Sequence, residues 1–108
     1  MSTREALLEK VESRRVVAVD FLGHKINCVL HTLKSIEDLQ EKLGNDEKKA
    51  GEVLLGFIPL QFLDPEDGKP IFTEEYLRES MSNKDMNTLV TLFFKTNGDV
   101  GIEEREKN

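Results

Sequence analysis

His24, Cys28 and His31 are the only soft ligands that fall close together in this chain of 108 residues. A zinc ion needs three or four such ligands converging as a tetrahedron. On a strand, Cys28 and His31 have opposite parity and point to opposite faces, and His24 belongs to the turn before them. The three read as a small buried thiol and two strand-end histidines. A second set of reactive groups is the acidic run Asp64, Glu66 and Asp67, just ahead of Gly68. Placing Gly68 at the invariant sixth position of a calcium loop puts Leu63 and Pro65 where the first ligands belong, with Glu74 at the twelfth. That ligand set is too short, so the carboxylates read as a solvated turn. There is no G-x-S-x-G, and no Ser or Cys has a neighbouring His with a placed carboxylate. Gly98-Asp-Val-Gly101 matches G-x-x-G only in form, and its acidic setting opposes phosphate. Catalytic residues, a metal site and a bound cofactor are therefore not expected.

What remains is architecture, concentrated in Phe62-Leu-Asp-Pro-Glu-Asp-Gly-Lys-Pro-Ile-Phe-Thr-Glu-Glu-Tyr-Leu77. Asp64-Pro65 and Asp67-Gly68 are turn pairs, because proline fixes φ and glycine supplies positive φ at little cost. Pro70 pushes Lys69 toward extended geometry. Thr73 is placed to cap a helix whose first turn carries Glu74 and Glu75, where the helix dipole favours negative charge. Asp64, Pro65, Asp67, Gly68 and Pro70 are assigned to this structural turn.

The rest of the chain divides by period. Residues 3–14 read as a helix with a narrow stripe of Leu7, Leu8 and Val11, either frayed or docked lightly. From 15 to 33 the period changes to two, with Val17, Val19 and Phe21, then Ile26, Cys28 and Leu30, around a short glycine-bearing loop. That is a β-hairpin. Residues 35–96 read as mainly helical. Ser35-Ile-Glu-Asp38 opens one helix in the manner of a capping box, and Gly44-Asn-Asp46 closes it before helix resumes at Glu47. Phe57 to Leu63 fits either helix or strand, with Pro59 forcing a break at or before Ile58. Ser82 caps a last helix that stops at Asn97-Gly98. The tail, 99–108, is charged and without aromatics. The expected fold is α+β: a single small domain over 1–98, an N-terminal β-hairpin packed with several short α-helices.

Composition narrows the function. Net charge is −6, from 21 acidic and 15 basic residues, and adjacent basic residues occur only as the pairs Arg14-Arg15 and Lys48-Lys49. Nucleic acid and anionic membrane surfaces are poor partners for such a chain. One cysteine forms no internal disulfide, and no apolar run reaches signal-peptide or membrane-span length, so a cytoplasmic protein is expected. The last helix carries Met86, Leu89, Val90 and Phe93 at i, i+3, i+4 and i+7, widened by Leu92 and Phe94. This stripe reads either as core or as a face covered by another chain. The segment Phe57, Ile58, Leu60 and Phe62 raises the same alternatives. Phe57, Ile58, Leu60, Phe62, Met86, Leu89, Val90, Phe93 and Phe94 are thus the candidate partner or self-association residues, on the premise that the latter half holds more apolar side chain than so short a chain can bury alone.

The order of these elements resembles a known family. A hairpin reading Val-Asp-Phe-Leu-Gly-His-Lys-Ile precedes a Leu-Lys-Ser-Ile-Glu-Asp helix and an apolar segment. Asp-Pro-Glu-Asp-Gly-Lys-Pro-Ile-Phe-Thr-Glu-Glu-Tyr-Leu follows, and then a helix closing on Asn-Gly. Over about residues 16–98 this is similar to the tail assembly chaperones of long-tailed bacteriophages and prophages. The likeness lies in turn and cap residues, not in an active-site signature. It implies a non-enzymatic protein of the bacterial host cytoplasm that coats the long apolar tape measure protein before the tail tube protein polymerises around it. The coat is left out of the mature virion. It also implies self-association into open arrays and a longer form of the protein made by ribosomal frameshifting. Leu55-Gly-Phe-Ile-Pro-Leu60 departs from the more helical, alanine-rich segment the resemblance leads one to expect. The alternatives are a small cytosolic interaction adaptor or another phage assembly factor, and, less favoured, an enzyme or metal protein built where His24 or His31 meets Asp20 or Glu37.

Overall fold

A computed structural model describes residues 2–13 and 15–98. The tail at 99–108, with the Gly98–Gly101 motif's last three residues, lies outside the described residues. Helix α1 (Thr3–Ser13) leads into strands β1 (Val16–Phe21) and β2 (His24–Val29). Helices α2 (Leu33–Leu43) and α3 (Glu47–Phe57) follow, then a 3-10 turn (Ile58–Gln61) and a short strand β3 (Phe62–Leu63). Helices α4 (Glu74–Glu79) and α5 (Asn83–Thr96) close the domain. The fold is α+β, as expected, with a three-stranded antiparallel sheet in the order β1-β2-β3.

The hairpin has the shortest loop that antiparallel strands permit. Phe21 pairs with His24, leaving Leu22 and Gly23 as the loop. Both have positive φ, 50° and 82°, as a type I′ turn requires. Glycine accepts this freely, whereas Leu22 holds it at a cost of about 1 kcal/mol. His24 therefore starts the second strand and does not sit in the loop, while His31 lies beyond that strand's end at Val29.

One boundary differs from the sequence expectation, and one stretch that fitted either helix or strand is decided. The first is the start of α2, which begins at Leu33, because the cap is Thr32: its side chain accepts from the Ser35 N–H at 3.1 Å. The Ser35 hydroxyl is engaged with His31 instead, at 2.9 Å. The second is the stretch from Phe57 to Leu63. The α-helix runs to Phe57, tightens to 3-10 geometry where Pro59 removes a donor, and ends as the third strand.

The acidic turn is built from its own carboxylates. Asp64 Oδ1 accepts from the Glu66 N–H (2.8 Å) and Asp67 Oδ1 from the Lys69 N–H (2.9 Å). The Asp64 carbonyl accepts from Gly68 at φ 73°, and Leu63 bridges to Pro70. Thr73, Ser82 and Asn97 cap helices as their positions suggested.

The core lies between the sheet and the helices. Phe21, Ile26 and Cys28 from the hairpin meet Ile36 and Leu39 of α2, Ile58, Phe62, Leu77 of α4, and Leu89 and Phe93 of α5. Phe93 is fully buried and sits edge-on to Phe57, His31 and Phe94 at centroid distances of 5.2 to 5.5 Å. The Cys28 thiol is pushed up to about 11 by burial, opposed in part by a hydrogen bond with Thr96, and so stays protonated and shielded. By contrast, α1 is exposed along its described length, with Leu7, Leu8 and Val11 each more than half exposed.

Candidate interaction surface

The nine candidate partner residues separate by burial. Ile58, Phe62, Leu89 and Phe93 have no exposed area and form the centre of the core. Phe57, Met86, Val90 and Phe94 are half-buried against it, and only Leu60 stands out, at 61% exposed. The premise that the latter half cannot hide its apolar side chains is therefore corrected for the first four. The hairpin and α2 supply the second layer that covers them, so they are unavailable to a partner in the folded domain. For the α5 stripe, core packing accounts for Leu89 and Phe93, while Met86 and Val90 reach the surface at its edge.

That edge is a cleft. Met86 and Val90 from α5, Leu54 and Leu55 from α3, Leu77 from α4 and Met81 after it line a cavity of about 430 Å³. Its rim is charged and polar, with Glu47, Lys48 and Glu52 on one side and Arg78, Asn83 and Asn87 on the other. Arg78 donates to both Glu52 carboxylate oxygens, at 3.0 and 3.5 Å, and also pairs with Glu74 at 3.7 Å. The hydrogen bond and charge of Arg78 hold the Glu52 carboxyl below its usual range, and Glu52 in turn raises the Arg78 guanidinium. Both ions are solvent-exposed, so the pair contributes little stability; it spans α3 and α4 at the mouth of the cleft. Two methionines in the lining provide a surface that can adjust to different apolar shapes.

A second, shallower depression of about 380 Å³ runs between α2 and α3, past Leu39, Val53, Phe57 and the exposed Leu60. A third, of about 590 Å³, lies where Val11 of α1 and Arg15 approach Leu30, His31, Thr96 and Asn97.

His31 is the centre of a polar network that sequence reasoning passed over. Its Nδ1 shares a hydrogen bond with Ser35 Oγ, and its Nε2–H donates to Gln61 Oε1, while the Gln61 amide donates to the Phe57 carbonyl at 3.1 Å. Among the described residues Gln61 is the one buried polar side chain, and both ends of its amide are satisfied. Asn97 accepts from the His31 backbone N–H at 2.7 Å and donates to the carbonyls of Val29 and Phe93 at 3.1 Å. These bonds join the end of β2, the start of α2, the 3-10 turn and the end of α5. A serine beside a histidine suggests a nucleophile, but the group facing the other ring nitrogen is an amide and the ring is wedged between Phe57 and Phe93. The arrangement satisfies buried polar atoms and orders the core.

His24 is exposed at the hairpin and Cys28 is buried, so they do not converge with His31. Among the described residues no group of three or more His, Cys, Asp or Glu side chains is placed to hold a metal ion. None of the described helices is long and apolar enough to cross a membrane. Comparison with protein-family models, with curated proteins and with solved structures finds no match to this chain.

Proposed function

We propose that this chain is a non-catalytic tail assembly chaperone. In this reading it binds the apolar, helical tape measure protein in the bacterial cytoplasm and releases it as the tail tube forms. The observation that carries this reading is the cleft between α3, α4 and α5: apolar and methionine-lined inside, charged at the rim, and open at the surface. Those are the features of a groove that accepts one face of an amphipathic helix. A long partner coated by many copies needs only modest contact per copy, since repetition supplies the hold while each copy remains releasable. The net charge of −6 keeps such a coat soluble. The likeness in turn and cap residues over 16–98 supplies the identity of the partner.

The test is co-purification with a tape measure segment, using a variant with Met81→Glu in the cleft. Met81 is half-buried and follows the end of α4, so the domain is expected to stay folded by circular dichroism. A carboxylate there faces the apolar surface of an incoming helix, and capture is expected to weaken at least tenfold, about 1.4 kcal/mol. Capture unchanged by Met81→Glu, in a folded protein, removes the cleft from the reading. A small interaction adaptor remains the alternative; it is favoured if the chain ignores tape measure segments but binds another helical protein.

A further inference from the structure

Asn97 is the one asparagine in this chain that precedes a glycine. Glycine puts no Cβ beside its own backbone nitrogen, which leaves that nitrogen free to attack the neighbouring carboxamide. The Gly98 nitrogen gives up its proton to solvent and bonds to Asn97 Cγ. A five-membered imide forms, and the side-chain nitrogen leaves as ammonia. Water then opens the ring at either carbonyl, so that aspartate or isoaspartate stands at position 97. The net change consumes one water and releases one ammonia, with no oxidant, reductant or metal involved. Asn27, Asn45, Asn83 and Asn87 are followed by Cys, Asp, Lys and Thr, whose side chains crowd the same attack.

The fold holds this pair away from its own chemistry. Ring closure needs Cβ of Asn97 and the Gly98 nitrogen nearly eclipsed, and at ψ 8° they are rotated well apart. The carboxamide is held at three points: the His31 N–H at 2.7 Å, and the Val29 and Phe93 carbonyls at 3.1 Å. The nucleophile is engaged as well, since the Gly98 N–H donates to the Lys95 carbonyl at 3.2 Å. We infer that Asn97 is a site of spontaneous deamidation gated by the end of α5. Closed, the end protects the amide; open, it reacts; and the product does not let it close as before. An aspartate has no hydrogen to give the Val29 and Phe93 carbonyls. An isoaspartate adds a methylene to the backbone at the helix cap. Either product severs the tie between the end of β2 and the end of α5, and neither reverts. The rate follows the population of the open end, so the domain carries its own limit on folded lifetime. This concerns the ageing of the chain and stands independently of what the cleft binds.

The experiment ages the wild type at mildly alkaline pH, once in native buffer and once in denaturing urea. Peptide mass spectrometry then follows conversion at each asparagine, with Asn27, Asn45, Asn83 and Asn87 as internal references. In urea, Asn97 is expected to convert well ahead of all four. Gly98→Ala, also read in urea where folding plays no part, is expected to bring Asn97 down to their rate. In native buffer the conversion at Asn97 is expected to slow at least about tenfold, and Phe93→Ala to return it toward the urea rate. The deamidated fraction, separated from aged wild type by anion exchange, is expected to unfold at lower urea than the intact protein. Three results each overturn the proposal. They are conversion of Asn97 in urea no faster than the references, equal rates in native buffer and urea, and a deamidated fraction with the intact protein's midpoint. None of them touches capture of a helical partner by the cleft.

Discussion

Phe93→Ala is expected to lower stability by about 3–5 kcal/mol, the largest loss from any single truncation in the domain. The ring is fully buried and lies at the meeting point of α5, the 3-10 region and the strand end, against Phe57, His31 and Phe94. No neighbour can move in to fill the space without dragging a helix with it, so most of the cavity persists. A domain of this length has about 5–15 kcal/mol in total, and the variant is left near its threshold. Thermal melting followed by circular dichroism checks this, with an expected fall in midpoint of roughly 15–30 °C. A fall of only a few degrees indicates that Phe93 is not the centre of the core. It then reverts to a candidate partner-facing residue.

Asn97→Ala is expected to cost about 2–3 kcal/mol, through hydrogen bonds and not through volume. One side chain accepts from the His31 N–H and donates to the carbonyls of Val29 and Phe93, tying together segments 66 and 68 residues apart in the chain. Alanine leaves the His31 N–H without its acceptor and takes the amide donor from the Val29 carbonyl, while the Phe93 carbonyl keeps the backbone N–H of residue 97. Asn97→Asp keeps the acceptor for His31 but sets a carboxylate oxygen against both carbonyls, so it is expected to be no more stable than alanine. Urea unfolding of the three proteins gives the order. Equal stability of Asn97→Ala and the wild type shows that water replaces the amide and that the connection contributes nothing.

The parts of this fold that are decided locally are the parts the amino-acid order revealed. The hairpin follows from the alternation of Val17, Val19 and Phe21 with a glycine loop. The helix caps at Thr73 and Ser82 and the stop at Asn97-Gly98 follow from side chains that bond their own backbone. The same is true of the turn at Asp64–Pro70, whose two aspartates fold it without outside help. Where distant groups compete, the local signal misleads. Ser35 looks like the cap of α2, but its hydroxyl is taken by His31, and Thr32 caps the helix instead. Strand β3 has only two residues and exists because β2 offers Phe62 and Leu63 an edge at Cys28 and Asn27, a fact invisible in the run Phe57–Leu63. Four of the nine candidate surface residues, Ile58, Phe62, Leu89 and Phe93, are buried for a related reason. An apolar stripe on α5 reports that something covers it, and whether that is the chain's own hairpin or a second protein depends on contacts far away in sequence. The stripe on α1 is narrow, and its exposure makes Leu7, Leu8 and Val11 more accessible than most of the residues singled out.

The central claim is that the cleft between α3, α4 and α5 holds one face of an apolar helix. Its most direct test is a methyl-resolved nuclear magnetic resonance titration of the domain with a synthetic amphipathic helix from a tape measure protein. Saturating shifts are expected at Leu54, Leu55, Met81, Met86 and Val90, with Leu7, Leu8 and Leu60 unmoved. A titration that leaves the cleft methyls in place, or moves only those of α1 or Leu60, contradicts the account.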